Sequence, residues 1–202
     1  MSYSPSMTDV ARPTQGLSNY HPLDEFYANA GRALPKIEVV EGMAVPEPYR
    51  QLLVHEGDMT PTLEKFYNAT IHLEVRRREK RGDFYFREVV LLTDDSEKRV
   101  EFGAIKIFLE LFPVAARNDI LAERLPLGSI LAKYQIEHTS RPKAFLRIQS
   151  DDFVNRALGI NGKQVLYGRR NTLSNTEGKA IAEIVEILPP ANGRKETTNG
   201  LE

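Results

Sequence analysis

Ile71-His72-Leu73-Glu74-Val75-Arg76 alternates apolar and polar side chains without a break. Phe84-Tyr85-Phe86-Arg87-Glu88-Val89-Val90-Leu91-Leu92 returns after a charged turn, Arg77 to Asp83, that contains Gly82. A period of two marks a half-buried strand, and two such runs joined by a polar connection make an antiparallel hairpin. The returning strand is apolar on both faces apart from Arg87 and Glu88. A charge in its middle must therefore reach an edge or meet a partner.

Outward from this hairpin, the apolar parity of Arg99 to Leu109 runs through Val100 and Phe102 and then shifts to Ile105, Ile107 and Leu109. One extra residue near Gly103 accounts for the shift and predicts a bulge there. Gln164 to Leu173 and Lys179 to Leu188 flank Ser174-Asn175-Thr176-Glu177-Gly178 as a second hairpin, and Phe145 to Ile148 is a weaker strand candidate. Helical spacing fills the intervals. Pro46 to His55 carries Tyr49, Leu52 and Leu53 on one stripe. Thr60 is an N-cap and Pro61 a first helical residue ahead of Leu63, Phe66 and Tyr67. Val114 to Leu125 reads as helix, stopped by Leu125-Pro126-Leu127-Gly128, and Ser129 to Tyr134 as a further turn. Ser150 caps Asp151 to Leu158, which Gly159 ends.

Hairpin-linked strands with helices inserted between them give an α+β fold: a single, mainly antiparallel sheet of five to six strands covered by helices. Residues 46–191 form this domain. Residues 1–45, rich in Pro, Ser, Gly and Asn, read as a partly irregular surface arm with a patterned patch at Leu23, Phe26 and Tyr27. The polar residues 192–202 read as a disordered tail.

The 202 residues suit one domain with a sizeable core. Lys and Arg number 27 against 28 Asp and Glu, so no net basic field recruits nucleic acid or an anionic membrane. Cysteine is absent, which removes disulfides, thiol catalysis and thiolate metal sites. No cationic start is followed by an apolar run and no stretch approaches a membrane span, so the expected location is the cytoplasm. Walker, G-x-G-x-x-G, H-E-x-x-H and G-x-S-x-G motifs are missing, and His21, His55, His72 and His138 lack metal-ligand spacing.

What stands out is charge inside apolar strand patterns: Arg87 with Glu88, Arg169 with Arg170, and Glu183 with Glu186. An arginine in a strand is usually an edge residue or one half of a surface pair. Adjacent Arg169 and Arg170 point to opposite faces, so at most one of them can look into a given cavity, and Glu183 and Glu186 also differ in parity. Together these groups are what a small anionic substrate requires. A guanidinium grips a carboxylate through two parallel hydrogen bonds, and a carboxyl group in an apolar pocket has its pKa raised enough to exchange protons.

Five segments in order, Leu52 to Thr60, Tyr85 to Leu91, Pro126 to Leu131, Gly168-Arg169-Arg170 and Val185 to Pro190, resemble the ordered motifs of the chorismate pyruvate-lyase family across residues 46–191. The resemblance implies a chorismate lyase-like sheet with an internal ligand cavity closed by helical flaps. It implies that Arg87 binds a substrate carboxylate, that Leu127 offers its backbone N–H, that Glu186 contacts the ring hydroxyl and that Met59 lines the cavity. Arg169 or Arg170 would neutralise a second carboxylate. Counting back from Pro190 selects Glu186, whereas counting forward from the Gly178-Lys179 turn falls one residue short, which leaves Glu183 as the alternative. The activity implied is conversion of chorismate to 4-hydroxybenzoate and pyruvate, driven by aromatisation, with no metal or organic cofactor and no nucleic-acid or membrane partner. Two rival expectations remain. One is a non-enzymatic sensor of a small aromatic acid with the same fold, which would take its DNA-binding unit from a separate partner. The other is a lyase or isomerase acting on a different carboxylated ring.

Overall fold

In the computed structural model, which describes residues 18–191, α1 (Leu23–Asn29) and β1 (Ile37–Val40) come first, followed by α2 (Tyr49–Leu53) and α3 (Met59–Tyr67). The strands β2 (Ile71–Arg81), β3 (Phe84–Thr93) and β4 (Arg99–Phe108) form a meander. Next come α4 (Val114–Ala122), α5 (Leu127–Lys133), β5 (Thr139–Gln149), α6 (Asp152–Leu158), β6 (Val165–Ser174) and β7 (Ala180–Leu188). All neighbours pair antiparallel, in the order β1-β5-β6-β7-β4-β3-β2. The α+β reading therefore holds, with seven strands in place of five or six. The additional strand is β1, whose Ile37 to Val40 pair with Ile148 to Phe145. Its four residues lie in a Pro- and Gly-rich segment and are only partly buried, so they carry too little alternation to be read as a strand.

Strand parity sorts the side chains into two cores. The first face collects Tyr85, Val89, Leu91, Ile105, Ile107 and Ile184 beneath α2, α3, α4 and α5. The second collects Phe86, Val90, Phe102, Ala104, Val185 and Ile187 beneath α1 and α6. Leu23, Phe26 and Tyr27 belong to this second core, with Leu23 fully buried. Of the amino-terminal arm, α1 is thus packed on the sheet and β1 joins its edge, while residues 1–17 and the expected tail at 192–202 lie outside the described residues.

The bulge in β4 sits three residues earlier than the sequence pattern suggests. Leu91 pairs with Glu101 but Leu92 with Arg99, so Val100 is the extra residue. Val100 and Glu101 consequently both face the first core, and Phe102 faces the second. The charged turn after β2 is also shorter than expected. Pairing continues to Arg81 opposite Phe84, with Gly82 at φ +58° making the reversal. The cap of α6 moves by one residue: Asp151, not Ser150, accepts from the N–H groups of Phe153 and Val154 at 3.0 Å, and Gly159 closes the helix in the left-handed region. Asp58, not Thr60, occupies the N-cap position of α3. Among the described residues no helix is long and apolar enough to cross a membrane.

Candidate functional site

On the first face the antiparallel register lays the polar residues out in rungs. Arg87, Ile105, Ile184 and Asn171 lie across β3, β4, β7 and β6. Val89, Gly103, Glu186 and Arg169 form the next rung, and Leu91 with Glu101 begins the one after. The start of α3 (Asp58, Met59, Thr60) and the first turn of α5 (Leu127, Gly128) roof this floor. The two helices meet at Gly128, where a Cβ would stand 3.0 Å from Thr60 Oγ1. Floor and roof leave a space of about 40 Å³, room for about three water molecules.

Arg87 is 1% exposed, and its Nε and Nη1 have no hydrogen-bond partner. Burial pulls its pKa down to about 10, against the opposing pull of Tyr85 and Glu123. Glu123 does not compensate the charge directly, because it accepts hydrogen bonds from the Tyr85 hydroxyl and Arg78. An isolated charge in a dry interior is costly unless an opposite charge meets it. Among the described residues none does.

Arg169, equally buried, is in the opposite condition. Its Nε donates to Glu186 Oε2, its Nη1 to the carbonyls of Leu53 (3.3 Å) and His55 (3.0 Å), and its Nη2 to the carbonyl of Gly57 (3.1 Å). It ties β6 and β7 to the loop between α2 and α3, which is one side of the roof. Close approach of β6 to β7 at this point requires Gly168, since a Cβ there would lie 2.4 Å from the Glu186 carbonyl oxygen. His55 completes the loop as a neutral ring. Its Nδ1 accepts from the Gly57 N–H at 3.0 Å and its Nε2 lies 2.8 Å from the Leu52 carbonyl, while burial and the Arg169 charge hold its pKa down.

Glu101 is the group that the sequence reading missed. It is 3% exposed, its Oε2 has no partner, and its Oε1 lies 3.2 Å from where a Cβ on Gly103 would be. The absent side chain at Gly103 makes the room for it, opposite Glu186 on β7. Burial first, and then the negative charge of Glu186, raise its pKa well above the carboxylate range, with Arg169 opposing. The available signal was a carboxylate within Val100-Glu101-Phe102, but the bulge at Val100 hid the face it points to. Asn171 is a second such residue: its Nδ2 donates to Ser140 Oγ at 2.9 Å and its buried Oδ1 is unpartnered beside the same space.

The structure brings Arg87, Met59, Leu127 and Glu186 around this one space, with Arg169 directly behind Glu186. Arg170 and Glu183 lie on the other face of the sheet. There they pair with each other at 2.7 Å, Thr172 Oγ1 adds a 3.2 Å bond, and Arg170 Nε reaches the His21 carbonyl at 3.4 Å. Between the two parity alternatives left open by the sequence, the register turns Glu186, not Glu183, toward Arg87. At the rim, His138 Nε2 lies 3.0 Å from both carboxylate oxygens of Asp58. Burial lowers the His138 pKa, but the Ile136 carbonyl and Asp58 outweigh it and hold it above the ordinary value. Among the described residues no group of three or more His, Cys, Asp or Glu side chains could hold a metal ion. A wider open groove between α2, α3 and the end of β7 has no unpartnered buried charge among its described residues.

No protein-family model matches the sequence, and no curated protein matches it. Solved structures do. The effector domain of PhnF from Mycobacterium smegmatis is similar with a TM-score of 0.51 at 13% identity, over 67% of this chain and 90% of that one. The PhnF structure from the same organism gives 0.50 at 11% identity, over 85% and 94%. A transcriptional regulator of the GntR family from Bacillus cereus gives 0.43 at 14%, over 63% and 96%. The likeness is one of fold alone, to the effector domain of PhnF.

Proposed function

We propose that this protein binds a small organic anion as a sensor-type domain, with Arg87 as the anchor for the ligand's carboxylate. The observation that carries the reading is the buried guanidinium with Nε and Nη1 left without partners. A planar cation of this kind takes a carboxylate through paired N–H donors. Leu127, in the first turn of α5, has a backbone N–H with no partner in the preceding turn of its helix, and it supplies a donor for the second anionic oxygen. Met59, Leu73 and Ile184 provide apolar walls that suit a ring. An aromatic acid such as 4-hydroxybenzoate meets these demands once α3 and α5 part, because the space of about 40 Å³ between floor and roof is too small for a ring. The fold likeness to an effector domain supports binding without turnover.

Thermal unfolding with and without ligand tests this. At about a hundred times Kd, a ligand that binds only the folded state adds about 2.7 kcal/mol. For a chain of this length that is a rise of roughly 5–10 °C. Benzoate and 4-hydroxybenzoate should raise Tm in this way, and acids that leave Tm unmoved would remove the reading.

A lyase converting chorismate to 4-hydroxybenzoate and pyruvate is the second reading, supported by the convergence of Arg87, Leu127, Met59 and Glu186 around one space. Arg87 would fix one carboxylate, the Leu127 amide would polarise an anionic oxygen, and Glu186 would have to move the proton. Glu186 is held by Arg169, which weighs against that last role. Incubation with chorismate separates the readings: steady release of pyruvate is catalysis, and stabilisation without release is sensing.

A further inference from the structure

We propose that Glu101 reads the far end of the bound acid, donating a hydrogen bond from its carboxyl group to an oxygen that the ligand carries opposite its carboxylate. This rests on the anion-binding reading above and adds to it a specificity group that distinguishes an oxygenated acid from a plain one. Two carboxyl groups stand beyond Arg87 on the floor, and they are not equivalent. Glu186 has Oε2 occupied by the Nε of Arg169, whereas Glu101, which also lines the space, has a buried oxygen without a partner. An unsatisfied buried polar atom of this kind is costly and unusual, and a ligand oxygen satisfies it.

The geometry also decides which form of the acid is present. Glu101 leans into the gap above Gly103, opposite Glu186, and two carboxylates side by side in a dry site cannot both ionise. The Arg169 guanidinium is bonded to Glu186 and, among the described residues, no cation is bonded to Glu101, so Glu101 is the carboxyl group that holds the proton and donates. It therefore asks for an acceptor: a hydroxyl, ether or carbonyl oxygen. A second carboxylate at that end would meet Glu186, and the cation beside it, Arg169, already has four of its five N–H donors engaged by Glu186 and the loop carbonyls. The ligand class is a monoanionic acid with an uncharged oxygen at its opposite end.

The experiment is a calorimetric titration of the full chain and its variants with benzoate and 4-hydroxybenzoate, read as the ratio of the two Kd values. Wild type should prefer the hydroxylated acid by about tenfold, the worth of one well-made hydrogen bond. Glu101→Gln still donates and should hold that ratio within about threefold, and Glu101→Leu should bring it to about one. Wild-type preference for 4-methoxybenzoate over 4-ethylbenzoate, which differ in one oxygen, tests the same donor without any substitution. A preference that persists in Glu101→Leu, or a wild type indifferent to the oxygen in both ligand pairs, overturns the role of Glu101 and leaves the anion site standing. If no acid binds the wild type, or if Arg87→Met binds both as well as wild type does, the anion site falls and Glu101's role falls with it.

Discussion

Arg87→Met should make the ligand-free protein more stable. Arg87 is 1% exposed and lacks partners on Nε and Nη1. Its pKa falls to about 10, which relative to an ordinary arginine corresponds to about 3 kcal/mol of penalty on the charged form. The sign follows from linkage. A cation whose pKa is lower folded than unfolded opposes folding throughout the range in which it is charged in both states, so the penalty is undiminished at pH 7 and fades only as pH rises through about 10. Methionine fills a comparable volume without a charge or a donor to satisfy. Allowing for imperfect packing of the new side chain, the net gain should be about 1–2 kcal/mol, or a rise of roughly 2–8 °C in Tm. Urea unfolding followed by circular dichroism, at fixed m-value, measures it. Loss of acid binding should accompany the gain. A variant destabilised by more than about 1 kcal/mol would show that Arg87 is compensated in the folded protein and would refute the argument that it waits for an anion.

Arg169→Met should do the reverse, because it strips Glu186 of its buried partner and frees the loop carbonyls of Leu53, His55 and Gly57; a loss of about 3–5 kcal/mol in urea unfolding is expected. Gly168→Ala drives a methyl group to within 2.4 Å of the Glu186 carbonyl oxygen. It should cost more than about 3 kcal/mol or abolish folding, read by soluble expression and unfolding together. The His138 and Asp58 pair should make stability depend on pH. Because the folded pKa of His138 is raised, its contribution is complete below the unfolded value of about 6.5 and is lost as pH climbs through the folded value. Comparing unfolding curves of wild type and His138→Gln between pH 5 and about 9 checks this, and the variant should lose that part of the slope.

Strand and helix identity was legible wherever one face is wet. Ile71 to Arg76 alternates because its outer residues meet water, and α6 declares itself through Asp151 and Gly159. β4 was harder. It is buried on both faces, so hydrophobicity alone could not locate the bulge, and the parity break was assigned to Gly103 when the added residue is Val100. β1 escaped because pairing with β5, not its own pattern, makes it a strand. At the site, charge within strands flagged Arg87, Glu88, Arg169, Arg170, Glu183 and Glu186 alike, and the resemblance, not the pattern, set Arg87 and Glu186 apart. The facing of Glu183 and Arg170 required the register of β6 on β7, a long-range property that no local spacing encodes. Glu101 was invisible for the same reason, since its direction depends on the bulge one residue before it.

The two ion pairs carried by β6 and β7, one on each side of the sheet, make that hairpin self-indexing. Sliding β7 by a single position would set Arg169 against Val185 or Ile187, turn both glutamates to the opposite face of the sheet and break both ion pairs as they stand. Misaligned versions of the hairpin are thereby excluded by electrostatics as well as by shape. The lateral position of every group above the site is keyed to one alignment before any ligand arrives.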